Sequence, residues 1–167
     1  MQANLYKQKR TSGFSLVEVL MAVVLIAIGV TGLLSAMAAG TQTNAAGRDL
    51  ATGSFLAQEI REYTLTLPFY DPQGEDSTTI GPNGSNPVNF VDDLNDMKNV
   101  TYSPPIDGQF NKITDMADWS QTVTVSWRDP KNLTKTVADG SSEIVYVEVT
   151  IKHGSESVLT TGWIVAE

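Results

Sequence analysis

Apolar positions fall into three regimes along the chain. From Val19 to Gly47 there are 29 consecutive residues without a charge, and Val19–Val30 is almost wholly aliphatic. About 20 apolar residues cross a bilayer as a helix, so Leu16–Ala39 is long enough at about 1.5 Å per residue. Past Gly40 the helical pattern persists but becomes two-sided. Ala46, Leu50, Gly53, Ala57, Ile60 and Leu67 recur at spacings of three, four or seven, and Leu56 and Tyr63 widen the stripe. Arg48, Asp49, Gln58, Glu59, Arg61 and Glu62 supply the opposite, polar face. With no proline before Pro68, the spacing predicts one continuous helix from Phe14 to about Thr66. Its first half (14–40) is suited to a membrane and its second (41–67) to packing on a sheet.

Residues 68–118 break that pattern. Asp71-Pro72-Gln73-Gly74, Gly81-Pro82-Asn83-Gly84, Asn86-Pro87 and Pro104-Pro105-Ile106-Asp107-Gly108 are turn chemistry, so a long irregular connection is expected. Short extended pieces are expected near Val88–Phe90 and Val100–Tyr102. The last third, 119–167, alternates with period two. Val123, Val125 and Trp127 share one face of Gln121–Trp127, Arg128-Asp129-Pro130-Lys131 turns the chain, and Leu133–Val137 is a weaker strand. Ile144–Lys152 and Val158–Val165 flank a hairpin loop at His153-Gly154-Ser155-Glu156. The fold expected is α+β: a long N-terminal helix against a three- to four-stranded antiparallel meander, with residues 41–167 forming one globular head.

Composition narrows the chemistry. Among 167 residues there is no cysteine and one histidine, His153, which excludes disulfide scaffolds, thiolate zinc sites and cysteine nucleophiles. It also argues against a Ser-His-Asp enzyme. The net charge of −8 is opposite to what nucleic-acid affinity requires, so no nucleic-acid partner is expected. The mean hydropathy of −0.09 averages two unlike halves: the apolar helix, and residues 48–167, with eight basic against eighteen acidic side chains. Lys7, Lys9 and Arg10 precede the apolar run, so the positive-inside rule keeps the N-terminus cytoplasmic and exports the head.

Three readings compete for residues 1–40. A secretory signal peptide cleaved near Ala36-Met37-Ala38 has too long an apolar segment and contains a carboxylate. A plain signal anchor explains the length and the basic flank but not Glu18, a costly group in a membrane helix. The third reading accounts for every residue. Lys9-Arg10-Thr11-Ser12-Gly13-Phe14-Ser15-Leu16-Val17-Glu18-Val19-Leu20 closely resembles the processing site of type IV prepilins and pseudopilins. In that family a basic leader ends in glycine, phenylalanine commonly follows, and a glutamate lies five residues into the mature chain.

The resemblance implies removal of a leader, 1–13, by prepilin peptidase between Gly13 and Phe14, and N-methylation of Phe14. It implies that Glu18 pairs with the Phe14 amine of a neighbouring subunit in a helical filament. Partners implied are other pilins or pseudopilins, in the filament or a tip complex, and the inner-membrane assembly platform. Location would be a single-pass inner-membrane protein with a periplasmic head, then a pilus or pseudopilus. Two departures stand out. Major pilins often carry a proline about twenty residues into the mature helix, where this chain has Gly29, Gly32 and Ser35, and a C-terminal cysteine pair that is absent here. Those departures, with Phe90–Asp96 and Val123–Asp129, resemble minor, PilV-like pilins and minor pseudopilins more than major subunits.

The remaining features carry weaker expectations. Asp92, Asp93, Asp96 and Asp107 are candidate calcium ligands, although their spacing is no EF-hand and a solvated acidic loop is the simpler reading. No other cofactor is expected, and no catalytic constellation is visible. Trp119, Trp127 and Trp163 are candidates for an exposed patch, but Trp127 and Trp163 sit in alternating strands and read as core. His153 reads as a hairpin residue.

Overall fold

A computed structural model describes residues 13–71 and 91–167. The leader residues before Gly13, the turns between Pro72 and Pro87 and the expected extended piece at Val88–Phe90 lie outside the described residues. By internal packing the chain divides into two units, meeting between Ala45 and Ala46.

The first unit is the N-terminal part of helix α1, which runs Leu16–Thr64. The helix starts later than expected because Ser15 caps it: its Oγ accepts the Glu18 amide at 3.2 Å. Every large apolar side chain from Phe14 to Met37 is exposed. The hydroxyls in this stretch bond back to their own helix. Thr31 Oγ1 donates to the Ala27 carbonyl at 2.9 Å, Ser35 Oγ to Thr31 at 3.0 Å and Thr43 Oγ1 to Ala39 at 3.0 Å. Little polar demand is therefore left for an apolar solvent to meet.

The second unit packs the C-terminal part of α1 on an antiparallel sheet. Gly53, Leu56, Ala57, Ile60 and Thr64 are buried, a single face at three- and four-residue spacing. The stripe is shorter than its sequence pattern, since Ala46 and Leu50 are exposed. The close apolar packing begins at Gly53, whose absent side chain lets the helix come close to Val158 and Leu159; a Cβ there would stand 3.2 Å from Val158 Cγ1.

Among the described residues five strands form the sheet: β1 (Val100–Tyr102), β2 (Trp119–Asp129), β3 (Asn132–Thr136), β4 (Ile144–His153) and β5 (Glu156–Ala166). Their order is β1-β2-β4-β5, with β3 off this path and paired to β2 alone. The expected three- to four-stranded meander is corrected here. β2 and β4 pair directly from Trp119↔His153 to Trp127↔Val145. Beyond Trp127, β2 outruns β4 and folds with β3 into a short ribbon through Arg128↔Thr136 and Asp129↔Asn132. All of β3 is exposed, so it had no apolar face with which to claim a place in the sheet. β4 and β5 form a hairpin closed by Gly154 and Ser155, where Gly154 adopts φ +59.

Trp119, Gln121, Val123, Val125 and Trp127 of β2 and Val145, Val147, Val149 and Ile151 of β4 form the buried face of the sheet. From residue 91 to residue 118 the connection before β2 is less irregular than its turn chemistry implies. Leu94, Met97, Val100, Tyr102 and Ile106 are at most 4% exposed and complete the core. Two 3₁₀ turns, Asn95–Met97 and Thr114–Met116, punctuate it.

Candidate functional site

Gly13, Phe14 and Ser15 precede the helix without regular structure, and Phe14 is 82% exposed. Glu18 occupies the first turn of α1. Ser15-Leu16-Val17-Glu18 thus falls in the Ser-x-x-Glu frame that caps helices, with Glu18 at the third position. The Ser-x-x-Glu spacing is itself the sequence signal for this cap. Its consequence is electrostatic. The first-turn amides carry a partial positive charge, so Glu18 sits where a helix best tolerates a carboxylate. Around it Leu16, Val17, Val19, Leu20 and Met21 are 53–82% exposed. A single carboxylate within an uncovered apolar surface, one turn from Phe14, is the chemical content of this end of the molecule.

The described aspartates do not converge as a set of four. Asp71, Asp92 and Asp93 offer oxygens within 4.8 Å of one another. Asp96 stands beside them and accepts the Asp92 amide through Oδ2 at 3.1 Å. Asp93 Oδ1 accepts the amides of Asn95 at 2.5 Å and Asp96 at 3.1 Å. Asp107 closes a different turn, its Oδ1 accepting the amides of Gln109 at 2.9 Å and Asn111 at 2.8 Å. These bonds, the Asn111 amide first, hold the Asp107 carboxyl below its usual range. Calcium takes about six to eight oxygens, so three carboxylates would need carbonyls or water to complete a shell. The acidic corner also acts on its neighbours. Burial, then the charges of Asp96 and Asp92, push the Tyr63 hydroxyl up; Tyr63 donates to the Val91 carbonyl at 3.2 Å.

His153 ends β4, where its ring stacks on Trp119 with centroids 4.4 Å apart and its Nδ1 lies 3.4 Å from Asp49 Oδ2. Trp119 and Trp127 belong to the core and Trp163 packs partly against it, which removes the exposed tryptophan patch. A residue that pattern reading passed over is Gln121, fully buried on β2. Its Nε2 donates to the Leu56 carbonyl at 2.9 Å and the Ile106 carbonyl at 3.1 Å, and its Oε1 accepts the Ile106 amide at 2.7 Å. One side chain thereby ties helix, strand and connection together. A polar residue at an inward position of a β pattern is the signal that could have found it.

Beside this framework a groove of about 460 Å³ runs between α1 and β5, lined by Ser54, Ala57, Arg61, Leu159, Thr161 and Trp163 among others.

Residues 8–34 match the family model described as the prokaryotic N-terminal methylation motif. The matched stretch contains Gly13, Phe14 and Glu18 and ends within the apolar helix. The chain thus carries the N-terminal motif of type IV prepilins and pseudopilins. No curated protein and no solved structure matches the chain. The α+β fold of the prepilin-type chain, a long helix packed on an antiparallel sheet, is the one its sequence predicted. Its α1 is long and apolar enough to cross a membrane, and proteins bearing the motif are structural components.

Proposed function

We propose that the protein is a minor subunit of a type IV pilus, inserted with its N-terminus in the cytoplasm and its head outside. Prepilin peptidase cuts after Gly13 and methylates the new Phe14 amine. The subunit then enters a filament by way of the assembly platform, and primes or modifies its growth. The observation that carries this reading is the isolated Glu18 carboxylate in an exposed apolar helix start, inside the matched motif.

The physical argument runs from the leader to the filament. Gly13 has no side chain to obstruct a protease at the scissile bond. Cutting there leaves an α-amine that is largely cationic at neutral pH, and methylation keeps the charge. When apolar helices stack with an axial offset, Glu18 of one subunit reaches the Phe14 amine of the next. At about 4 Å such a pair is worth several kcal/mol at an effective dielectric near 20, before desolvation is subtracted. A carboxylate that is costly in lipid becomes a register mark.

Intact mass of the membrane form tests this. Loss of residues 1–13 plus one methyl group is the expected result. A full-length chain, or cleavage near Ala38, would show instead a signal-anchored or secreted binding domain that does not polymerise. Location separates the two filament readings: recovery with sheared surface pili supports the pilus, and confinement to a periplasmic pseudopilus would make the protein a minor pseudopilin of a type II secretion system.

A further inference from the structure

β5 is an edge strand: among the described residues it pairs only with β4, from Ala166 back to Glu156, with one register shift at Val158. Proteins commonly guard such an edge with lysine, proline or an inward charge, because its free amides and carbonyls will pair with any available strand. β5 has none of these. From Ser157 to Ala166 there is no charged residue and no proline, and Glu156 and Glu167 stand only at the two ends. The opposite side of the sheet is covered differently, by β1 and by the β3 ribbon.

The inner face of β5 is also incompletely covered. Thr161 faces the same way as Val149, its partner on β4, yet Thr161 is exposed while Val149 is fully buried. The helix comes close to β5 at Gly53, against Val158 and Leu159, and leaves the groove beside Thr161 and Trp163 open. Ala57, Leu159 and Trp163 give that groove an apolar floor, and Arg61 is the one charged residue lining it. Arg61 has no ion-pair partner among the described residues.

We propose that β5 and this groove bind an extended segment of a different subunit, added to the sheet as a further antiparallel or parallel strand. That segment is uncharged where it lies along β5 and carries a carboxylate that meets Arg61. Backbone hydrogen bonds supply the affinity and the groove selects alternate side chains, as in other strand-addition complexes. Charge decides against the β5 strand of a second copy in its most symmetric pairing. In the fully overlapped antiparallel register two β5 strands bring Glu156 of one beside Glu167 of the other at both ends, and neither offers a carboxylate to the middle of the groove. The proposal rests on the filament-subunit reading for the kind of partner it names.

The test places a photoreactive benzophenone amino acid at Thr161 of the full chain in its own cells, with Thr134 on exposed β3 as the control position. Crosslinks are read in membranes and in sheared filaments, and the joined peptides are sequenced. The expected product at Thr161 is a single segment of another pilin-type subunit containing Asp or Glu, absent from Thr134. Arg61→Glu should lower its yield about fivefold or more and Arg61→Lys should keep most of it, both with unchanged melting temperature. A crosslink to a second copy or to lipid, equal labelling at Thr134, or indifference to Arg61→Glu would overturn the proposal. A chain that enters filaments without crosslinking at Thr161 defeats the strand addition alone. One that crosslinks in membranes but never enters filaments defeats the filament reading alone.

Discussion

Gln121 and Tyr102 show opposite treatments of a buried polar group at the residue scale. Gln121 satisfies both ends of its amide, and the Ile106 amide and carbonyl depend on it. Gln121→Leu keeps the volume but strands the Ile106 amide in the core. It should cost about 1–3 kcal/mol, read as a lower denaturation midpoint with unchanged slope. Tyr102 is also fully buried, but its hydroxyl has no hydrogen-bond partner among the described residues. Its ring meets Phe110 edge-on with centroids 5.7 Å apart, and Phe110 stacks on Tyr63 at 4.9 Å, so the ring rather than the hydroxyl does the packing. Burial first, then Tyr63 and Asp96, push the Tyr102 hydroxyl far above its ordinary value. The folded state therefore holds the proton more tightly than the unfolded chain does. That contribution is complete below the unfolded value near 10 and is lost as pH rises beyond it. Tyr102→Phe should match the wild-type melting temperature at neutral pH and lose less of it above about pH 10. A variant that melts much earlier at pH 7 would show that the hydroxyl has a partner after all.

At the scale of elements, what was legible depended on whether the signal was periodic. Helix α1, β2, β4 and β5 each repeat an apolar spacing over seven or more residues, and each lies close to its expected bounds. β3 was legible as a strand but not as a ribbon, because its place was decided by how far β2 outruns β4, a pairing between distant residues. The connection before β2 was misjudged for a related reason. Turn residues such as Pro104, Pro105 and Gly108 dominate its pattern, and they mask the buried Leu94, Met97, Tyr102 and Ile106 spaced too irregularly to declare a face. The candidate site followed the same rule. Gly13, Phe14 and Glu18 were readable because a fixed local spacing carries them, whereas the groove and the Asp71 cluster assemble residues from separated elements. Gly53 is the element-scale counterpart, since its meaning lies wholly in what faces it. Gly53→Ala adds helix propensity of about 1 kcal/mol against a contact only slightly too tight, so it should be nearly neutral. Gly53→Leu must push the helix away from Val158 and Leu159 and should cost about 1–3 kcal/mol, measured by thermal or urea unfolding of both variants.

For the whole molecule, two opposed tendencies have to be reconciled in a polymer. Removing Lys7, Lys9 and Arg10 with the leader takes the net charge from −8 to −11, and residues 48–167 carry −10 of it. Heads of like charge repel at separations within the Debye length, about 8 Å at physiological ionic strength, so they do not by themselves drive association. The apolar helix surface does favour association, but it is non-directional: many axial offsets between two such helices bury similar area. In the proposed filament Glu18 would break that degeneracy, because only one offset would bring a carboxylate to a neighbour's Phe14 amine, and every other would leave both groups without a partner in an apolar surround. Glu18→Val removes the carboxylate while leaving Gly13, Phe14 and the Ser15 hydroxyl that caps the helix. The variant should therefore insert, lose residues 1–13 and gain its methyl group as the wild type does. It should then be missing from sheared filaments, because its helix no longer prefers the one productive register. Mass spectrometry of the membrane pool and immunoblotting of the filament fraction read the two halves separately. Normal incorporation would leave Glu18 with only its place in the helix cap; failure of cleavage would move its role upstream, to recognition by the peptidase.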